Sequence, residues 1–177
     1  MQDNSVEKKF YLKQAEAVND ASGELLNFDT NIKEIYNELF SSKGRYHIVE
    51  EVLDKSKEYN LFVEIGSSGC SSLKYLSESY KVNKIIGYDI VFSETTLKQN
   101  KYKNIQLLEG NFNYDLPLEN NSVDCLVMMM IIEHLFDPFH SFSEIHRLLS
   151  KDGLAFINLP LVTSIKKLFA INCLSKM

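Results

Sequence analysis

One segment constrains this chain more than any other: VEIGSSGCSS, Val63 to Ser72, read together with Asp89. Leu61, Phe62, Val63 and Ile65 predict a buried strand, and the acid Glu64 stands near its end. The strand breaks at Gly66 into a loop of small residues, and a helical pattern starts at Leu73. A second apolar stretch, Lys84 to Tyr88, then ends on Asp89, 23 residues after Gly66. A strand, a tight loop, a helix and a second strand ending on an acid form the unit with which α/β domains hold a nucleotide-like cofactor.

The rest of the chain repeats this alternation. Strands are expected at 61–65, 84–89, 105–109, 123–129 and 154–159, and helices at about 71–80, 93–99 and 138–149. The gap 110–122 has no clear helix. Strands separated by helical segments predict parallel crossovers. Asp137 is placed to cap the helix that begins at Pro138, and Phe139, Phe142, Ile145 and Leu149 are expected along its buried face. Ahead of the first strand, Ile32, Ile35, Tyr36, Leu39 and Phe40 have helical spacing, as do Ile48, Val49, Val52 and Leu53. Residues 1–30 read as a polar extension and 31–177 as one domain.

With 177 residues the chain is long enough for a sizeable core. Its net charge of −5 and the lack of a basic stripe argue against nucleic acid as the partner. The longest apolar run, Leu126 to Ile132, is far short of the roughly 20 residues of a membrane-spanning helix. Cys70, Cys125 and Cys173 form no metal or redox motif and suit a reducing cytoplasm. His134, His140 and His146 are six residues apart, which splays them around a helix, so no metal site is expected.

Glycine lets the backbone approach a ligand closely, and a helix start offers free N–H groups. An acid after the second strand can accept two hydrogen bonds from a ribose diol. Glu64 adds a second negative charge at the loop. It would repel a pyrophosphate and attract an ammonium group, which favours S-adenosyl-L-methionine over a dinucleotide.

At this point the chain resembles the class I S-adenosylmethionine-dependent methyltransferases, most nearly those with a UbiE- or UbiG-like domain. VEIGSSGCSS resembles the family's first motif and IIGYDI its second. LLEGNFNYDLPLENNSVDCLVMMMIIEHLFDP resembles the stretch from its third strand through its fourth, and EIHRLLSKDGLAFINLP its closing helix, turn and fifth strand. The resemblance covers roughly 45–160. It implies a Rossmann-like, doubly wound, mostly parallel sheet of about five strands with flanking helices. It also implies methyl transfer to a small-molecule, lipid or glycan-precursor acceptor. Carried over residue by residue, Glu64, Gly66, Ser67, Ser68 and Gly69 would hold the methionine part of the cofactor. Asp89 would take the ribose, with Ile90 beside the adenine. Asn111 stands where the family usually has an aspartate, and Phe112 would flank the adenine. Met128 and Met129 would border the sulfonium. His134, in a Glu-His pair with Glu133, is the candidate general base.

The departures matter as much. Ser68 and Cys70 stand where the family prefers glycine, and Gly69 is out of step. The family continues after its fifth strand with a helix and an antiparallel pair of strands. Only 17 residues follow Pro160 here, which suggests a helix carrying Ile165, Leu168, Phe169 and Ile171 and nothing more. On that reading the chain is truncated, and the fifth strand is left as an apolar edge prone to self-association. One rival is an NAD-dependent oxidoreductase, but Ser68 and Ser71 occupy two of the three glycine places its loop needs. Another is a non-catalytic protein that keeps only the fold. The plain alternatives for single residues are a strand-end cap for Asp89, an exposed side chain for His134, small filler for Cys70 and core for the methionines.

Overall fold

The structure is a computed structural model, which describes residue 9, residues 26–159 and, as backbone, residues 170–175. Its frame is a six-stranded sheet of order β3-β2-β1-β4-β5-β6. The strands are β1 (Glu58–Ile65), β2 (Lys81–Asp89), β3 (Ile105–Glu109), β4 (Val123–Met129), β5 (Leu149–Asn158) and β6 (Ala170–Ser175). β1 to β5 are parallel, and β6 runs antiparallel to β5. The helices are α1 (Ile32–Ile35), continued by a π-helical turn (Tyr36–Phe40), α2 (His47–Val52), α3 (Ser71–Ser79), α4 (Glu94–Gln99) and α5 (Pro138–Leu148). The expected Rossmann-like α/β sheet is therefore present.

The central strands are apolar on both faces because both faces are covered. Along β1, Phe62 packs toward α1, α2 and α3 with Phe40, Tyr46, Leu73, Val127 and Phe156. Its neighbour Val63 faces the other side, with Ile86, Leu126, Ile145, Leu148 and Ile157. Burying each such side chain stabilises the fold by about 1.5–3 kcal/mol.

Several boundaries differ from the sequence reading. Residues 26–30, counted with the extension, pack on the domain: Phe28 is buried, Asn27 bridges Cys70, and Lys74 Nζ donates to the carbonyls of Phe28 and Thr30. Asp137 caps α5 as expected, with Oδ1 accepting from the N–H groups of Phe139 and His140. Phe139, however, is 85% exposed, and Ser141, Glu144, Ile145 and Leu148 are the buried residues of that helix. The cap fixes where the helix begins, which turns Phe139 away from the sheet.

The C-terminal expectation is corrected. Ile171, read as part of a last helix, lies in β6 and pairs with Ile157 of β5. The remainder of that proposed helix, Ile165 to Phe169, lies outside the described residues. β5 is not an edge strand, so the ground for self-association through it is removed. The sequence of this short segment suits either conformation, so periodicity alone does not choose between them.

Candidate functional site

In an open parallel sheet the ligand crevice lies beyond the carboxyl ends of the strands, where the strand order reverses. Here that point lies between β1 and β4, and the loop after β1 begins there. Gly66 has φ +78°, and a Cβ on it would lie 2.1 Å from Ile131 Cδ1. Only glycine satisfies both conditions at once. Its N–H donates to Tyr88 O at 2.7 Å, which ties the loop to β2. The two expected glycine places are filled by residues that take glycine's backbone conformation: Ser68 has φ 40° and Cys70 has φ 62°.

Asp89 closes β2 and holds this loop. Its Oδ2 accepts from Ser68 N at 2.8 Å, and its Oδ1 accepts from Ile90 N at 2.7 Å. Burial raises its pKa, while the N–H donors oppose the rise. Each carboxylate oxygen keeps a lone pair for a further donor.

Glu64 lies beneath the loop, 2% exposed. Ser72 Oγ donates to its Oε2 at 2.6 Å, and Tyr46 Oη donates to its Oε1. Burial pushes its pKa up to about 7. Cys70 is also buried, which pushes its thiol well above the ordinary range and makes it a poor nucleophile.

Two cavities meet at Gly66. The first, about 80 Å³, is lined by Gly66, Asp89, Ile90, Asn111, Phe112 and His134, among others. The second, about 230 Å³, is lined by the loop Gly66–Ser72 and by Leu39, Arg45 and Tyr46. The fold thus brings nine of the residues singled out in the sequence to one groove: Gly66, Ser67, Ser68, Gly69, Asp89, Ile90, Asn111, Phe112 and His134. Glu64 and Met129 are part of the buried layer under it. Asn111 Oδ1 accepts from Asn113 N at 2.9 Å and from Asn113 Nδ2 at 2.7 Å. Asn113 Oδ1 in turn accepts from Phe136 N, which joins this wall to the segment after His134. Glu144 and Arg147 of α5 hold the next stretch: Leu116 N donates to Glu144 Oε1, and Arg147 donates to the carbonyls of Leu116 and Leu118.

Residues 63–157, from mid-β1 almost to the end of β5, match a family model described as "Methyltransferase domain". The chain belongs to this methyltransferase domain family. One similar relative is a Mycolicibacterium smegmatis protein named "Probable S-adenosylmethionine-dependent methyltransferase", 31% identical over 77 residues, which are 44% of this chain and 30% of that protein. The fold is shared with the Haloferax volcanii complex between the Trm112 methyltransferase activator and a methyltransferase: TM-score 0.58, 21% identity, 74% of this chain and 57% of the other. It is shared too with a SAM-dependent methyltransferase from Aquifex aeolicus: TM-score 0.56, 20% identity, 78% of each chain. This methyltransferase domain therefore spans less than a third of its curated relative and little more than half of the Haloferax chain.

Sequence reasoning missed Arg45, Tyr46 and Ile131. Arg45 is exposed beside the second cavity, with its guanidinium 5.7 Å from the centroid of the Tyr46 ring. It is one of two arginines in the chain, and that scarcity was the available signal. Ile131 follows β4 and covers Gly66, a contact that only the crossing of two strand ends creates.

Proposed function

We propose that this methyltransferase domain binds S-adenosyl-L-methionine across Gly66 and transfers its methyl group to a small-molecule, lipid or glycan-precursor acceptor. The observation that carries the reading is the bond from Ser68 N–H to Asp89 Oδ2. It joins the loop and the acid into one cradle between two cavities of different character. The first is walled by Ile90 and Phe112 and has the amide of Asn111 for polar recognition, which suits an adenine. The second offers the Arg45 guanidinium for a carboxylate, above the layer holding Glu64, whose negative form favours an ammonium group. The residues therefore fit both ends of the cofactor.

When bound, S-adenosyl-L-methionine supplies an electrophilic methyl group on a sulfonium. The protein's part is chiefly orientation, since holding two reactants in line removes much of the entropic barrier. Asp89 holds the ribose end and Arg45 the carboxylate end. His134 stands at the mouth of the first cavity, exposed, in the short 3-10 turn Ile132–His134. There its imidazole takes the proton of a hydroxyl acceptor. The net charge of −5 disfavours a nucleic acid acceptor. Among the described residues no helix is long and apolar enough to cross a membrane, and Cys70 and Cys125 are free and buried, which favours a cytoplasmic site of action.

Calorimetry with S-adenosylhomocysteine and with NAD tests the reading. The protein should bind the former in preference to the latter, and Asp89→Ala should weaken that binding roughly ten- to a hundred-fold. Equal affinity of the variant would remove Asp89 from the site, and preference for NAD would remove the reading.

A further inference from the structure

Glu64 is an acid with no opposite charge bonded to it. Its carboxyl is buried at the end of β1, and its two hydrogen bonds come from neutral hydroxyls, Tyr46 Oη and Ser72 Oγ. Among the described residues no Lys, Arg or His side chain forms an ion pair with it. A buried carboxylate is costly unless a cation accompanies it, so the group keeps its proton instead. Both hydroxyl partners, Tyr46 and Ser72, line the 230 Å³ cavity at the loop. A cation bonded to Ser72 Oγ would stand about 3 Å beyond an oxygen that is itself 2.6 Å from Glu64 Oε2. That places it within about 6 Å of the carboxyl, close enough to favour the charged form strongly.

The surroundings single out Glu64 as the group that titrates. Ahead of α2, burial holds the Tyr46 hydroxyl protonated, and the exposed Arg45 guanidinium favours the carboxylate from a distance. In the loop, burial keeps the Cys70 thiol protonated. At the end of β2, the charge of Asp89 disfavours a second anion. In β4, Val127, the partner of Glu64 in register, is apolar. Burial outweighs the two hydroxyl donors and lifts Glu64 to about 7.

We propose that the missing cation is the ammonium group of the cofactor, and that its arrival displaces the proton from Glu64. The carboxyl O–H bond breaks, the proton passes to solvent, and the carboxylate stays. Tyr46 and Ser72 donate to that carboxylate and can accept from the ammonium. One positive charge enters as another leaves, so the net charge of the site is unchanged. This rests on the cofactor reading above and adds regulation to it: the domain takes up cofactor less readily as pH falls.

The test is calorimetry of the full chain at pH 6 and pH 8, each in two buffers of different ionisation enthalpy. The difference in heat between the buffers counts the protons released. S-adenosylhomocysteine should release close to one proton at pH 6 and close to none at pH 8. Its affinity should fall about five- to ten-fold from pH 6.5 to 5.5 and change little just above pH 7.5. The second ligand is 5′-methylthioadenosine, which keeps the adenine, ribose and thioether but has no ammonium. It should bind without releasing that proton. Glu64→Gln should bind S-adenosylhomocysteine with neither the release nor the pH dependence. Binding of S-adenosylhomocysteine to the wild type at pH 6 without proton release overturns the inference and leaves the cofactor reading standing. Equal release with both ligands, or release retained in Glu64→Gln, overturns it as well, since the proton then comes from elsewhere. The two wild-type titrations decide the matter even where Glu64→Gln does not fold. No binding of S-adenosylhomocysteine at either pH sinks the cofactor reading itself, so the two failures are distinguishable.

Discussion

Tyr46 donates its hydroxyl hydrogen to Glu64, and both side chains are buried. The pair joins the segment ahead of the sheet to the end of its central strand, just under the loop that carries the proposed cofactor. Ser72 completes the arrangement from the first turn of α3. Glu64 is therefore a buried acid with two donors and a pKa of about 7.

This has a consequence for stability. The ordinary value is 4.5, so folding favours the neutral acid. The contribution, about 3 kcal/mol, is complete below pH 4.5 and is lost as pH rises through 7. Thermal melts should fall between about pH 4.5 and 7 in the wild type, level off above that, and be flatter in Glu64→Gln. Parallel curves for the two proteins would show that Glu64 does not carry this proton.

Gly66 and Ile131 should behave as a coupled pair. Gly66→Ala meets both a strained backbone, about 1–2 kcal/mol, and the Ile131 side chain. Adding Ile131→Ala should recover the steric part and leave the backbone part. A double-mutant cycle from denaturant melts measures this, and strict additivity would mean that Ile131 yields freely.

Ser68 is exposed with φ 40°, so Ser68→Gly should stabilise the protein by about 0.5–1 kcal/mol. Cys70→Gly should not, although its φ is similar. The Cys70 side chain is 1% exposed, and deleting it leaves a hole. Urea melts of both variants would expose the difference, and equal gains would contradict it.

Arg45 and His134 should separate binding from turnover. Arg45→Ala removes a charge-assisted contact and should weaken S-adenosylhomocysteine about ten-fold or more, with Arg45→Lys recovering part of it. His134→Ala should leave that affinity nearly intact and lower the rate with a hydroxyl acceptor about a hundred-fold. An unchanged rate would make His134 an ordinary surface residue.

How far the sequence reached follows from the range of the interactions. Strand and helix periodicity, the Gly66 turn and the Asp137 cap are local, and each was legible from neighbouring residues. So was the pairing of the loop with Asp89, because a strand–helix–strand unit fixes that distance. The amphipathic spacing of residues 32–40 revealed a helix but not its π-helical turn, and the face of α5 was misjudged at Phe139.

Local sequence determined the class of sheet, the position of the loop and the kind of ligand it suits. Tertiary structure alone decided that Glu64 is sealed under the loop by Tyr46 and Ser72, that Ile131 covers Gly66, and that Arg45 stands beside the second cavity. It also decided that β6 pairs with β5 and that, among the described residues, the side-chain oxygen of Asn158 is buried without a hydrogen-bond partner. These contacts join residues with no fixed spacing in the chain. They arise only when strand register and helix docking bring distant side chains together, and no local pattern encodes that.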